Sequence, residues 1–176
     1  YCHDASKDIH RDLGSRCYKV DSQLLSKDSR YCGKNGFVFP RLYGSYYLQI
    51  AQNMWQLIED KNLHAGLDDS SLKMKKHLRL QGIKRLGDCI ENEEPKPGSF
   101  EHHIKGVQDW FDNEFPVFTS SKKDWIEEYR RNGEFTMMTG FRIGGLYNNN
   151  FLLNVPIQGP GFHCLLWSII EIQKEI

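Results

Sequence analysis

The chain of 176 residues is long enough for one domain, or two small subdomains, with a hydrophobic core that needs no disulfide or metal. Its 23 Lys and Arg residues balance 23 Asp and Glu residues, so nucleic-acid binding would require local basic clusters rather than the field of the whole protein. The five cysteines are scattered and form no CxxC pair, which favours free thiols in a reducing compartment. No apolar stretch is long enough to cross a bilayer, and no Cys or His pair has zinc-ligand spacing, so neither a membrane span nor a metal site is predicted.

The first predicted element is a helix over residues 5–20, with Ser6 as its N-cap. A loop over 21–26 follows, and a second helix begins near residues 26–29. Its continuation is interrupted by Gly33, Gly36 and Pro40. Beyond this point, apolar residues at helical spacing predict a third helix. They are Tyr47, Ile50, Met54 and Leu57.

A strongly basic helix is predicted next, over residues 70–86. Residues 71–86 contain six Lys or Arg residues and no acid. Such a run is typical either of a solvated helix face or of a surface that contacts a nucleic-acid strand. An acidic loop with two prolines follows over 87–100.

The last third of the chain predicts helices over 102–115 and 121–131, separated by Pro116. Short alternating stretches bracketed by Asn-Gly and Thr-Gly then predict a β-hairpin. The tail from Pro156 reads as a glycine-containing turn followed by a largely buried helix. Together these elements predict a mainly α protein with a small β-hairpin, of the α+β class.

The pair Arg30 and Lys34 is the most informative local feature. Residues four apart lie on one helix face, where a guanidinium and an ammonium can bind neighbouring phosphates of one polyphosphate. A solvated basic face is the alternative interpretation. Aromatic residues that follow favour a nucleotide stacked beside its own phosphates, although core packing accounts for at least one of Phe37 and Phe39.

Three further polar side chains have two interpretations each. His10, within a helix, is either a boundary residue or a phosphate contact. Asn154 and Gln158 carry amides that either stabilise a turn or contact bases and sugars in a minor groove without sequence preference.

Four stretches of the chain together resemble one family. KDIHRD, RYCGKNGFVFPRLYGSYY, TGFRIGG and NVPIQGPGFHCLLW follow one another in an order similar to that of the family A DNA polymerases (polymerase I class) of bacteriophages. The resemblance implies the fingers subdomain with adjoining palm elements of a right-hand polymerase. It implies a palm-to-fingers helix over 1–25, fingers helices over 26–131, and a hairpin with a palm helix over 132–176.

One departure from the family pattern leads to a structural prediction. The family spaces an Arg, a Lys, an aromatic residue and a Tyr-Gly pair four residues apart, and this chain has one extra residue between Lys34 and the Tyr-Gly pair. The matching aromatic is then Phe39, which in an unbroken α-helix would lie opposite Arg30, whereas Phe37 would share its face. We therefore predict a π-bulge or local unwinding between Lys34 and Pro40.

The resemblance also implies residue roles. The triphosphate of the incoming deoxynucleotide would be bound by His10, Arg30 and Lys34, of which the last two count as catalytic. Phe39 would stack on the sugar and base, and Tyr43 would lie at the template base.

DNA near the growing primer end is implied to contact Tyr43 and Gly44, together with Asn154 and Gln158. Arg142 would replace an arginine that the family commonly carries at the position of Asn150.

The same resemblance implies two-metal nucleotidyl transfer with Mg²⁺. No Asp of this chain matches the family's metal-binding motifs, so the ligands are expected from segments outside it, and the chain alone is expected to be inactive. Expected partners are primer-template DNA, a deoxynucleoside triphosphate and the remaining polymerase segments, in the cytoplasm of a bacterial host and away from membranes. The alternative is a non-catalytic helical module that binds single strands or a protein through residues 71–86 and exposed aromatic residues. A thiol or metal enzyme is a third interpretation, which would require two Cys or His side chains to converge in the fold.

Overall fold

Helix α1, Ile9–Tyr18, begins where the Asp8 side chain accepts hydrogen bonds from the backbone N–H groups of His10 and Arg11. The computed structural model describes residues 4, 7–67, 70–90 and 93–175. The predicted cap Ser6 lies outside these residues, and Asp8 is the N-cap that the structure shows. The helix ends at Lys19, whose left-handed backbone (φ 52°) closes the last turn.

The chain divides into two units, Tyr1–Glu114 and Phe115–Ile176. After α1, the first unit contains a short 3₁₀ turn, Ser22–Leu24, and a series of helical elements. In chain order these elements are α2 Lys27–Gly33, a π-helical segment Lys34–Val38, α3 Phe39–Leu42, α4 Tyr47–Asp60, α5 Met74–Leu80 and α6 Phe100–Glu114.

The core of the first unit forms where α1 packs on α2 and α4 packs on α6. The apolar stripe predicted for the third helix is confirmed in α4, since three of its members are fully buried and Leu57 is partly exposed. The largest fully buried side chains of this unit are Tyr18, Tyr47, Phe37, Phe100, Phe111, Leu13, Leu25, Ile50, Met54, Met74, Leu78 and Ile104.

The basic segment forms a much shorter helix than the predicted 70–86. Helix α5 ends at Leu80 because Gly82 adopts φ +85°, and the Ile83 N–H donates back to the Leu78 carbonyl. This is a Schellman closure, which favours glycine at the left-handed position. The sequence signal for the stop was therefore Gly82 itself.

The second unit contains α7 Pro116–Asn132, the strands β1 Glu134–Thr136 and β2 Arg142–Gly144, and α8 Asn149–Glu175. The strands pair antiparallel with Phe135 opposite Ile143, which confirms the predicted hairpin. Helix α7 starts at Pro116, several residues earlier than predicted, because proline fits the first helical turn.

The prediction for the tail is wrong in two respects. Helix α8 runs without interruption through Pro156 and Pro160, so the predicted turn is absent. The part beyond residue 163 is exposed rather than buried, with Trp167 at 48% and Ile172 at 60% exposure.

A mainly helical fold with one small antiparallel hairpin is thus confirmed. Four of the five cysteines are described, and all four are free thiols. In the same parts of the chain, no helix is both long enough and apolar enough to span a membrane.

Candidate functional site

A glycine crossing brings α1 against α2. A Cβ atom built on Gly33 would lie 2.7 Å from the Gly14 Cα atom and 3.7 Å from the His10 carbonyl oxygen, so a side chain at Gly33 would clash with the α1 backbone. The two backbones therefore touch where Gly33, the last residue of α2, lies against Gly14 in the middle of α1.

This crossing gathers the residues that the sequence predicted for nucleotide binding. The His10 ring meets Phe39 edge-on, with centroids 5.9 Å apart, and the Phe39 and Tyr43 rings stack at 6.1 Å. The Lys34 Nζ atom lies 4.9 Å from the Phe39 ring centroid. We name the group formed by these four residues and Arg30 the α1–α2 cluster.

The π-helical segment confirms the predicted bulge. The Phe39 N–H donates to the Lys34 carbonyl, five residues back, which is the hydrogen bond of a π-turn. Phe37 is fully buried and meets Phe111 edge-on, whereas Phe39 is partly exposed and contacts Lys34. The extra residue is absorbed in the turn, and Phe39 rather than Phe37 joins the cluster.

Asp8 divides its two carboxylate oxygens between two tasks. Its Oδ1 atom caps α1, accepting from the N–H groups of His10 at 3.0 Å and Arg11 at 3.1 Å. Its Oδ2 atom accepts from the Arg30 Nε at 2.6 Å. This bond to Arg30 is the main reason that the pKa of Asp8 lies below its usual value. Because Asp8 holds Arg30 through Nε, the terminal edge of the guanidinium is not used in this pair.

Sequence reasoning missed this role of Asp8. The signal for its capping part was an Asp just before the apolar stripe of α1. Its ion pair with Arg30 spans 22 positions and has no local signature.

The pKa of His10 lies below its usual value. Burial lowers its pKa most, and the charges of Arg30 and Lys34 lower it further. Its Nδ1 atom is buried and has no hydrogen-bond partner within the described part of the chain. The cluster thus combines two cations, an imidazole and two stacked rings, which suits a ligand that carries both phosphates and a planar group.

Tyr43 and Gly44 end the same stretch. The Tyr43 N–H donates to the Phe39 carbonyl at 3.0 Å, and Gly44 adopts φ +88° where α3 stops. Arg41 anchors α3 to α6 through two contacts of 2.5 Å from one Nη2 atom to the Asp112 carboxylate.

The residues predicted to contact DNA, apart from Tyr43 and Gly44, belong to the second unit. Arg142 is exposed and lies 3.5 Å from Glu134 across the hairpin. Asn154 and Gln158, one turn apart on α8, line a cavity of about 490 Å³ with apolar walls. The Asn154 Oδ1 atom is buried and has no partner among the residues that are described.

One neighbour in this cavity was not predicted to have a role. His163 forms a 2.6 Å hydrogen bond with the Thr139 hydroxyl and stacks on Phe141 at 3.9 Å. The hairpin turn is thereby tied to α8. The adjacent Cys164 is exposed.

The basic segment is only partly available to a ligand. Lys75 lies 4.7 Å from the Trp55 ring centroid and pairs with Glu59, and Lys73 donates to Asn62 at 2.5 Å. Exposed cations of the segment include Lys76, Arg79 and Lys84.

Within residues 4, 7–67, 70–90 and 93–175, no three His, Cys, Asp or Glu side chains converge as metal ligands would. In comparisons with known proteins, neither a protein-family model nor a curated protein matches the sequence.

Proposed function

We propose that this chain is the fingers segment, with adjoining palm elements, of a phage-type family A DNA polymerase, and that the α1–α2 cluster binds the incoming deoxynucleoside triphosphate. One observation carries the proposal. The π-turn at Lys34–Val38 places the aromatic residue demanded by the polymerase spacing next to Lys34, despite the extra residue in the sequence.

In this proposal each side chain contacts a different part of the deoxynucleoside triphosphate. Arg30 and Lys34 bind the phosphates and offset their charge, with Arg30 oriented by Asp8 through Nε. Phe39 stacks on the sugar and base, and its contact with His10 fixes the ring from the other helix. Tyr43 continues the stack toward the template base.

In the second unit, Arg142, Asn154 and Gln158 contact primer-template DNA. The amides of the last two can both donate and accept, so they tolerate any sequence in a minor groove.

The residues described here do not fit a pair of Mg²⁺ ions. The carboxylate beside the α1–α2 cluster, that of Asp8, is engaged by a helix cap and by Arg30, and no group of three ligand side chains forms elsewhere in the described ranges. In this proposal the Mg²⁺ ligands belong to other segments of the polymerase. These segments are also the proposed protein partners of the chain, in a bacterial host.

Removal of the two cluster cations tests the proposal. We expect Arg30→Gln and Lys34→Gln each to weaken binding of dATP, measured by isothermal titration calorimetry, by about tenfold, because each removes a charge-assisted contact with phosphate. Lys76→Gln with Arg79→Gln is the matched control, since it removes two exposed cations from another element. Unchanged dATP affinity in the Arg30→Gln/Lys34→Gln double variant would refute the proposal.

The same variants examine the second candidate function, a non-catalytic module that binds nucleic acid through residues 71–86. The exposure of Lys76, Arg79 and Lys84 in a run without acids favours it. This function predicts that Lys76→Gln/Arg79→Gln abolishes binding of a single-stranded oligonucleotide, while the loss of Arg30 and Lys34 has no effect.

A further inference from the structure

The first unit contains a cavity that lies apart from the α1–α2 cluster and shares no residue with it. Its volume is about 550 Å³, within the range of small-molecule sites. Its walls are formed by the end of α1, the residues that follow α5, the two residues before α6, and α6 as far as Trp110.

The charge of the lining has one sign. Arg16 and Lys19 contribute permanent cations and His102 and His103 contribute imidazoles, whereas no carboxylate of the described part of the chain belongs to the lining. A cavity of this composition favours an anionic ligand.

A flat stacking surface lies in the same cavity. The guanidinium carbon of Arg16 is 3.7 Å from the centroid of the Trp110 ring, so the planar cation covers the indole. Arg16 is itself exposed, and such a pair offers a planar ligand a cationic surface on which to stack.

The cationic end of α1 is fixed from two other helices. The Nε2 atom of His103 lies 3.0 Å from the Arg16 carbonyl and 3.1 Å from that of Cys17. The Nε2 atom of His77, on α5, lies 2.9 Å from the Lys19 carbonyl. Carbonyl oxygens only accept, so both imidazoles donate through Nε2. Arg16 and Lys19 are thus attached to backbone that is held in place, which lowers the entropic cost of binding.

We propose that this cavity binds a nucleoside phosphate, with the base stacked on the Arg16–Trp110 pair and the phosphate bound by Lys19 and His102. The ligand is either a free nucleotide or one nucleotide of a single strand. Arg79 and Lys84 lie within two residues of lining positions and are exposed, which would allow the basic surface to continue along a strand. This inference does not depend on the function proposed for the α1–α2 cluster.

The test follows the indole N–H resonance of Trp110 by NMR in the full chain, assigned through Trp110→Phe. Four probes are titrated separately: deoxyadenosine monophosphate, deoxyadenosine, inorganic phosphate and a single-stranded oligonucleotide. A resonance at the cavity reports this site alone, so binding at Arg30 and Lys34 is not counted. The Arg30→Gln/Lys34→Gln variant should give the same Trp110 titration as the wild type.

The decisive variant is Arg16→Gln with Lys19→Asn, since asparagine tolerates the left-handed backbone of residue 19. Its matched control is Lys123→Gln with Arg131→Gln, which removes the same charge from exposed positions of α7. We expect the nucleotide to shift the Trp110 resonance and the Arg16/Lys19 variant to weaken that binding at least about tenfold, with the control unchanged.

Each outcome of the probe series has a defined meaning. If both the monophosphate and the oligonucleotide bind, a free nucleotide is sufficient as the ligand. If the oligonucleotide alone binds, the ligand is one nucleotide of a single strand. Equal affinity for deoxyadenosine and its monophosphate would overturn the proposal, because phosphate would then not be recognised. It would also be overturned if no probe shifted Trp110, if inorganic phosphate bound as well as the nucleotide, or if the Arg16/Lys19 variant bound normally.

Discussion

At the scale of single residues, Asp8 connects helix stability to the candidate site. Its two oxygens are used separately, one by the α1 cap and the other by Arg30. An asparagine at this position has one oxygen for the cap and presents an N–H₂ group to the Arg30 Nε, where two donors would meet. Substitution by Asn therefore separates the two tasks of Asp8.

We predict that Asp8→Asn retains most of the stability and Asp8→Ala does not. Alanine loses the cap, at a cost of about 1 kcal/mol in the free energy of unfolding. Loss of the partly exposed pair with Arg30 adds at most about 1 kcal/mol in either variant. Urea denaturation of the three proteins at pH 7 measures both costs, with Ser26→Ala at the α2 cap as the control for a cap without an ion pair.

The pH dependence of the same proteins provides a second measurement. The folded-state pKa of Asp8 is lowered, so its contribution is present above the unfolded pKa of about 3.9 and is lost as the pH falls through the folded value. Asp8→Asn should remove this acid-side loss. An Asn variant as unstable as the Ala variant at pH 7 would contradict the assignment of the cap to Oδ1.

At the scale of elements, the π-turn accommodates the extra residue between Lys34 and Tyr43. The residues before and after the turn therefore keep the helix faces that the polymerase spacing predicts. Asn35 is the natural residue to remove, because among the described residues its side chain bonds locally, to the Tyr31 carbonyl at 2.9 Å. Deletion would place Phe39 four residues after Lys34 in a regular α-helix. Insertion of a second extra residue would instead rotate Phe39 by about 100°.

We predict that the Asn35 deletion keeps dATP affinity within about threefold, whereas an alanine inserted after Asn35 lowers it by about tenfold. Calorimetric titration measures the affinities, and circular dichroism establishes that both variants are folded. If the deletion abolished binding in a folded protein, the register argument for Phe39 would be wrong.

The elements that sequence reasoning predicted correctly are those whose signal is local. Helix α4 follows from its apolar spacing, and the π-turn follows from the spacing of Arg30, Lys34 and Tyr43. Helix α8 was misjudged because the glycines that follow Pro156 are typical of a turn, whereas the helix continues through them and through Pro156 and Pro160. The ion pair of Asp8 with Arg30 depends on how α1 and α2 cross, and no local sequence pattern predicts it.

At the scale of the whole molecule, the zero net charge is an average over separate clusters. Residues 71–86 carry six cations, and the described lining of the cavity between α1 and α6 includes Arg16 and Lys19 and no carboxylate. The net charge of the whole chain would argue against nucleic-acid binding. Whether a phosphate binds depends instead on the electrostatic field of the local cluster.

The distribution of carboxylates leads to the prediction for the chain as a whole. With primer-template DNA, all four deoxynucleoside triphosphates and Mg²⁺, we expect no primer extension in a gel assay, because no described group of acidic side chains fits two metal ions. A complete family A polymerase in the same buffer is the positive control. Extension that disappears in Arg30→Gln/Lys34→Gln would contradict the assignment of the metal ligands to other segments.

The glycine crossing of α1 and α2 also restricts motion. Because the backbones lie too close at Gly14 and Gly33 to admit a Cβ atom, sliding either helix along the other would force a larger side chain into this contact. A closure that moved Arg30 and Lys34 toward a ligand would have to carry His10 with them as one rigid body. The hinge of any such movement therefore lies outside this helix pair.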